Sequence, residues 1–300
     1  MEKAKTIPQA LLIGNDINNA TSSYSWNDLI EGLLDYSKMT KTIQNKNKPF
    51  PFLYEEIYLK SYYLYQTPEN RLKKYIASQT RKLEANKLHT LILELGIENI
   101  LTTNYDSLFE NTAGQANKDC GNKGVVKENL YSLFRYHKLQ NHKVWHIHGS
   151  ENNPQSITLG YEHYCGYLQQ MRSYVTIGMK GVYTNKDFLP LRRRLKEGTC
   201  EHDSWVDLFF THDLFIFGLN LDFVEMHLWW LLNYRARAKL ENRFPINNTI
   251  RYFYPEHLKD VSINKLQMFE SLHVEAIPVK LTNTDKVGYY KKIIKSISTY

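Results

Sequence analysis

An α/β fold built on a doubly wound, mainly parallel sheet is predicted by three observations. Short apolar runs alternate with helix-periodic segments along most of the 300 residues. Three of these runs end on small, amide, carboxylate or imidazole residues: Leu11-Leu12-Ile13-Gly14-Asn15, Thr102-Thr103-Asn104-Tyr105-Asp106 and His146-Ile147-His148-Gly149. The last third closes as strand, helix, strand, helix. An open parallel sheet gathers its ligand outside the carboxyl ends of its strands, so three polar exits point to one shared pocket.

The elements follow in order. Residues 9 to 13 form the first strand, and the Ser/Thr-rich turn from Thr21 to Ser25 leads into a helix over Trp26 to Tyr36, where Leu29, Ile30, Leu33 and Leu34 keep helical spacing. The Lys/Asn stretch 41–48 and Pro49-Phe50-Pro51 break the chain before long helical segments from about Tyr54 to Leu95, which Gly96 stops. Ile97 to Leu101 reads as a short buried strand, followed by the Asn104-Tyr105-Asp106 turn and a helix start at Leu108 and Phe109. Residues 111–128 carry Gly114, Gly121 and Gly124 among Asn, Lys and Asp and read as a surface loop. Leu130 to Tyr136 and Lys143 to Ile147 read as strand-like pieces. From about Glu162 to Phe210 the pattern is mainly helical and irregular, which suits a lid or a small subdomain. Leu214 to Phe217 restores a strand, Gly218-Leu219-Asn220 a loop, and Asp222 to Lys239 a helix. Ile250 to Tyr254, Val274 to Val279 and a helix from Asp285 to Ile297 complete the alternation. The expectation is a single domain over 1–300 with helical insertions at about 41–95 and 162–210, and no internal repeat.

Composition narrows the class. With 42% hydrophobic and 23% charged residues, and 22 Tyr against 14 Gly, the chain excludes disorder and low complexity. Cys120, Cys165 and Cys200 are widely separated, so no Cys-x-x-Cys pair offers zinc ligands, and an odd count argues against a disulfide framework. A reducing cytoplasm is the expected location. Met1-Glu2-Lys3-Ala4-Lys5 leads directly into a strand-like run, so no secretory leader is expected. The most apolar region, 214–232, is interrupted by Asn220, Asp222, Glu225 and His227, which excludes a membrane helix there. The net charge of +7 and pI near 9.0 raise a nucleic-acid reading. The charges are dispersed, however. The densest groups, Arg192-Arg193-Arg194 with Lys196 and Lys291-Lys292 with Lys295, sit in helix-like segments, where a solvated face is the simpler account and a basic patch facing an anionic ligand is compatible.

Each polar exit has a bland and a chemical reading. Gly14 allows a sharp turn and close approach to a pyrophosphate, or simply makes an ordinary strand-to-helix turn. Asp16 beside a pyrophosphate would be repulsive unless it turns away or bonds backbone amides. Asn104 can hold a sugar hydroxyl or a water and Asp106 can fix a ribose or favour developing positive charge; the alternative is an Asx turn at a helix start. His146 and His148 alternate, so they share a face unless the strand ends first. Either suits a base, and Gly149 leaves room for a ligand, whereas no third residue at a suitable spacing supports a metal site. Asn220 can contact ribose or phosphate, or Asp222 can merely cap the following helix.

Taken together, these stations resemble the sirtuin-like family, specifically the bacterial sirtuin-like NAD-hydrolysing domains of phage defence, over about residues 10–235. Leu12-Ile13-Gly14-Asn15 with Ser25-Trp26 and Leu29 is similar to the glycine-rich first loop and its following helix. Thr103-Asn104-Tyr105-Asp106 resembles the Asn-x-Asp segment, His148-Gly149 the His-Gly, and Gly218-x-Asn220 the Gly-x-Ser cofactor loop. Asp16 stands where many relatives have glycine, Asn220 replaces serine, and the four-cysteine zinc module of lysine deacylases is missing. The resemblance implies a Rossmann-like fold and cleavage of NAD to nicotinamide and ADP-ribose, without a metal and with protein deacylation disfavoured. It further implies Asn104, Asp106 and His148 as catalytic residues, and Gly14, Asn15, Asp16, Thr103, Gly218 and Asn220 as cofactor-binding ones. A homo-oligomer or a partner defence protein is expected to control the activity. Two alternatives stand beside this reading: a module that binds NAD or ADP-ribose without turnover, and a nucleic-acid-associated protein using Arg192 to Lys196.

Overall fold

The computed structural model describes residues 7–22, 24–45, 47–114, 130–181 and 187–300, and the backbone of 120–121. Strand β1 (Gln9–Ile13) is followed by helices α1 (Trp26–Tyr36), α2 (Phe50–Tyr65), α3 (Glu69–Thr80) and α4 (Lys87–Leu93). Strand β2 (Asn99–Thr102), α5 (Leu108–Thr112), β3 (Cys120–Gly121), β4 (Tyr136–Leu139) and β5 (His142–His146) come next, then α6 (Tyr161–Thr176), α7 (Leu191–Glu197) and α8 (Trp205–Thr211). Strand β6 (Asp213–Phe217), α9 (Met226–Leu240), β7 (Ile250–Pro255), α10 (Ile263–Ser271), β8 (Val274–Val279) and α11 (Lys286–Ile297) complete the chain.

The strands form one sheet in the order β3-β4-β5-β2-β1-β6-β7-β8. The pairings from β5 through β8 are all parallel, and β3-β4 and β4-β5 are antiparallel. This is a Rossmann-like α/β fold. Its winding reverses at β1, which pairs with β2 on one side and β6 on the other. A crevice therefore opens beyond the carboxyl ends of β1 and β6, the place where such sheets bind ligands.

The central strands β1, β2 and β6 are buried on both faces, which explains why they are mainly apolar runs rather than alternating ones. Leu12, Leu101, Trp145, Leu214 and Ile216 pack with α6, α8 and α9 on one face, and Leu11, Ile13, Ile100, Phe215 and Phe217 pack with α4 and α11 on the other. A third cluster gathers α1, α2 and α3 around Tyr105, Ile157 and Leu159. Helix α1 starts on a capping box, with Ser25 accepting from the Asp28 amide and Asp28 returning the bond.

Two segments differ from the sequence expectation. Pro49-Phe50-Pro51 opens α2 instead of separating it from what precedes, because proline fits the first helical turn, where no amide partner is needed. Leu130 to Tyr136 is not a strand until Tyr136. The carbonyls of Ser132 and Leu133 accept from the Trp205 indole (2.8 Å) and the Ser204 hydroxyl (2.8 Å), so they serve the start of α8 rather than a ladder. Most of the loop expected at 111–128 lies outside the described residues, although α5 runs to Thr112 and 120–121 form β3. No described helix is long and apolar enough to cross a membrane.

Candidate active site

A cavity of about 640 Å³ occupies the crevice at the winding reversal. Its walls include Asn15, Asp16, Thr103, Asn104, Asp106, His148, Gly218 and Asn220, so eight of the nine residues predicted from sequence meet there. Gly14 stands behind the wall. A Cβ at Gly14 would overlap the Gly218 carbonyl and the Leu219 Cα, and its amide donates to Phe217 O (3.1 Å). The glycine here lets two loops of the protein meet, whereas a pyrophosphate was the partner considered from sequence.

Asn104 lies two residues past the end of β2. Its amide donates to Thr102 Oγ1 (3.0 Å) and its carbonyl accepts from His146 Nδ1 (3.0 Å), which fixes the backbone. Its side-chain Oδ1 is buried with no hydrogen-bond partner. A buried carbonyl oxygen left unpaired at a cavity wall is costly unless a ligand or water supplies the donor.

Asp106 is held at both carboxylate oxygens. Oδ1 accepts from the Leu108 amide (3.2 Å), an Asx turn opening α5, while Oδ2 accepts from Asn18 Nδ2 (2.9 Å). Burial raises its pKa, and these bonds oppose the rise. Asn18 also donates to Asn15 Oδ1 (2.8 Å) and accepts at Oδ1 from His89 Nε2 (3.1 Å). The Asn86 amide donates to His89 Nδ1 (3.1 Å), so Nε2 carries the proton that reaches Asn18. Burial lowers His89 to about 4, keeping it neutral. One buried amide thus orients two cavity residues, Asn15 and Asp106.

The carboxylate of Asp16 turns away from the crevice toward α11. It accepts from Lys286 Nζ (2.6 Å) and the Tyr290 hydroxyl (2.6 Å), while its amide donates to Gly218 O (3.0 Å). This satisfies the condition under which an acidic residue beside an anion is tolerated. The opposite loop is strapped as well: Gly218 takes φ +67°, and Lys265 Nζ reaches both Asn220 O (2.5 Å) and Oδ1 (2.8 Å).

The two histidines part company because β5 ends at His146. His146 Nε2 donates to Glu110 Oε1 (2.8 Å), and His137 Nδ1 bonds the same oxygen. Although burial works against charge, the Glu110 carboxylate holds His146 up at about 9. Glu110, its own burial outweighed by the two imidazoles, is held below the usual carboxylate range. His148 lies past the strand end. Its Nε2 is 3.0 Å from His227 Nε2 and 3.3 Å from Glu225 Oε2. Burial lowers His148 to about 3 and His227 also well below the usual imidazole value, so both rings are neutral, and it pushes Glu225 up to about 8. The space beside Gly149 belongs to the chain: at φ +90°, a Cβ there would strike the Ser156 carbonyl.

Sequence reading singled out neither Asn18, His89, Glu225 nor His227 as functional. It also found no third ligand beside the histidine pair, yet the fold assembles two groups of one carboxylate and two imidazoles, Glu110-His137-His146 and His148-Glu225-His227. The signal for the second group was the polar interruption of the apolar run 214–232.

The basic run has a different fate. Arg194 is buried, donating to the Tyr174 hydroxyl (2.6 Å) and Leu189 O (3.1 Å), and Arg193 pairs with Glu197 at 2.7 Å. Only Arg192, Arg193 and Lys196 of that run face solvent.

Residues 98–191 match the family model of the SIR2-like domain. No curated protein matches the chain. The match contains Asn104, Asp106 and His148, and the fold brings Asn15, Gly218 and Asn220 from outside it to the same cavity.

Proposed function

We propose that this chain, whose residues 98–191 match the SIR2-like domain, is a hydrolase that cleaves NAD to nicotinamide and ADP-ribose. The observation that carries the reading is the unpaired, buried Asn104 Oδ1 in a cavity shared with Asp106 and His148. It offers an acceptor for a ribose hydroxyl or for the attacking water. Asp106, fixed by Asn18, orients the sugar and favours the oxocarbenium-like charge that forms as the ribose–nicotinamide bond breaks. The bonding pair leaves with nicotinamide, which becomes neutral; water adds to the sugar carbon, and its proton passes to neutral His148. Asn15, Thr103, Gly218 and Asn220 hold the dinucleotide, with Asp16 supporting the loop from behind through α11.

The resemblance extends the proposal to biology: a cytoplasmic phage-defence effector, held inactive until an oligomer, a partner protein or an infection signal switches it on. Incubating purified protein with NAD and measuring nicotinamide tests the chemistry. Asn104→Ala and His148→Ala should each reduce release by about a hundredfold or more. Calorimetric binding of NAD with no product would select the sensing alternative instead.

A further inference from the structure

The cluster around His148 has a geometry that the hydrolytic reading does not use. One ligand atom from each of His148, Glu225 and His227 lies within 4.8 Å of the other two. The two Nε2 atoms are 3.0 Å apart, and Glu225 Oε2 is 3.3 Å from His148 Nε2. A tetrahedral ion with bonds of about 2.0–2.1 Å separates its ligand atoms by roughly 3.3 Å. Glu225 Oε2 is buried and has no hydrogen-bond partner. Two imidazole nitrogens facing each other can share only one proton. His148 and Glu225 line the cavity, so an ion would enter through it and keep a coordination position open toward it.

We propose that His148, Glu225 and His227 form an inhibitory site for a divalent transition-metal ion of the zinc class. Neutral imidazoles and a carboxylate are the donor set such ions take. The rings of Tyr164 and Tyr167, at 5.4 and 4.9 Å from the His227 ring, hold that ligand in place. Capture displaces the proton between the two facing Nε2 atoms and that of Glu225 to solvent, and occupies the His148 nitrogen that faces His227 and Glu225, fixing the ring. It also sets positive charge beside the cavity, where it opposes the cationic nicotinamide ring and the charge that develops on the sugar. The inhibitory role rests on the proposed hydrolase; the site itself does not. The Glu110 group has the same composition and also an unpartnered carboxylate oxygen, Oε2, but it does not line the cavity, and its Oε1 is bonded by His137 and His146, with His146 Nδ1 spent on Asn104 O.

The test titrates the full-length, chelator-treated protein with Co²⁺, reading the visible absorption of a tetrahedral site, then displaces Co²⁺ with Zn²⁺ and follows nicotinamide release in parallel. The expected result is a single Co²⁺ per chain displaced by Zn²⁺, with turnover falling as Zn²⁺ occupancy rises. Glu225→Gln, checked for fold by circular dichroism, should raise the Zn²⁺ concentration for half-occupancy by roughly tenfold or more. His227→Gln should do the same; if it does not fold, Glu225→Gln alone decides. Absence of the spectrum, or an affinity that Glu225→Gln leaves unchanged, overturns the site. Stimulation by Zn²⁺ overturns the inhibitory role. Should the metal-free protein release no nicotinamide, the hydrolase reading fails while the Co²⁺ spectrum still decides the site.

Discussion

Two clusters of identical composition stand near the end of the same strand and do different things. In Glu110-His137-His146 the carboxylate lies between the imidazoles, so charges of opposite sign meet and hold one another. In His148-Glu225-His227 the imidazoles face each other, burial disfavours the ionised form of Glu225 as well, and neither ring carries charge. Residue type did not decide this; the order of the groups in space did. The first cluster fixes the Asn104 backbone through His146 Nδ1, while the second opens on the cavity. The first supports the cavity wall, and the second is the group to which the proposed chemistry is assigned.

The largest effect should come from breaking the support. Glu110→Gln leaves two buried imidazoles without their carboxylate, and a broken buried pair costs about 3–5 kcal/mol, readable as a lower denaturant midpoint. Glu225→Gln removes a carboxyl whose ionised form is already disfavoured, so the same measurement should move by less than about 1 kcal/mol. Equal losses in the two variants would erase the distinction between the clusters.

Asn18→Ala sits between these extremes. It unpairs buried Asp106 Oδ2 and the His89 proton, at about 1–3 kcal/mol, and should depress nicotinamide release more than it raises the NAD concentration for half-saturation. A variant with unaltered turnover would show that Asp106 needs no orienting partner. The smallest effect is expected at Lys286→Ala. Its pair with Asp16 is about two-fifths exposed, so stability should change by less than about 1 kcal/mol, while Tyr290 retains the carboxylate.

Much of the scaffold was legible because its signals are local. Helix α1 shows four apolar residues at helical spacing after a Ser25 cap, and β1 and β8 are short runs rich in apolar residues; all three fall at their expected bounds. The meeting of Asn104, Asp106 and His148 at one cavity was legible because strand exits of a parallel sheet converge by topology alone. What failed depended on tertiary contact. Leu133 and Phe134 are apolar because α6 and α8 cover them, a burial that mimics a strand in sequence. Asn18 was hidden among the asparagines of Asn15-Asp16-Ile17-Asn18-Asn19, and only the approach of Asp106 and His89 distinguishes it. Glu225 and His227 were visible as breaks in an apolar run but were read only as evidence against a membrane helix. Polar residues in a helix that packs on a sheet need partners, and that need was the missed signal.

In the proposed reaction an unpaired amide oxygen and a neutral imidazole act on one substrate in this cavity. Nicotinamide release from NAD by wild type, Asn104→Ala and His148→Ala, each verified as folded, tests it most directly. Turnover by the wild type and loss in both variants is the predicted result; release that persists in both would contradict it.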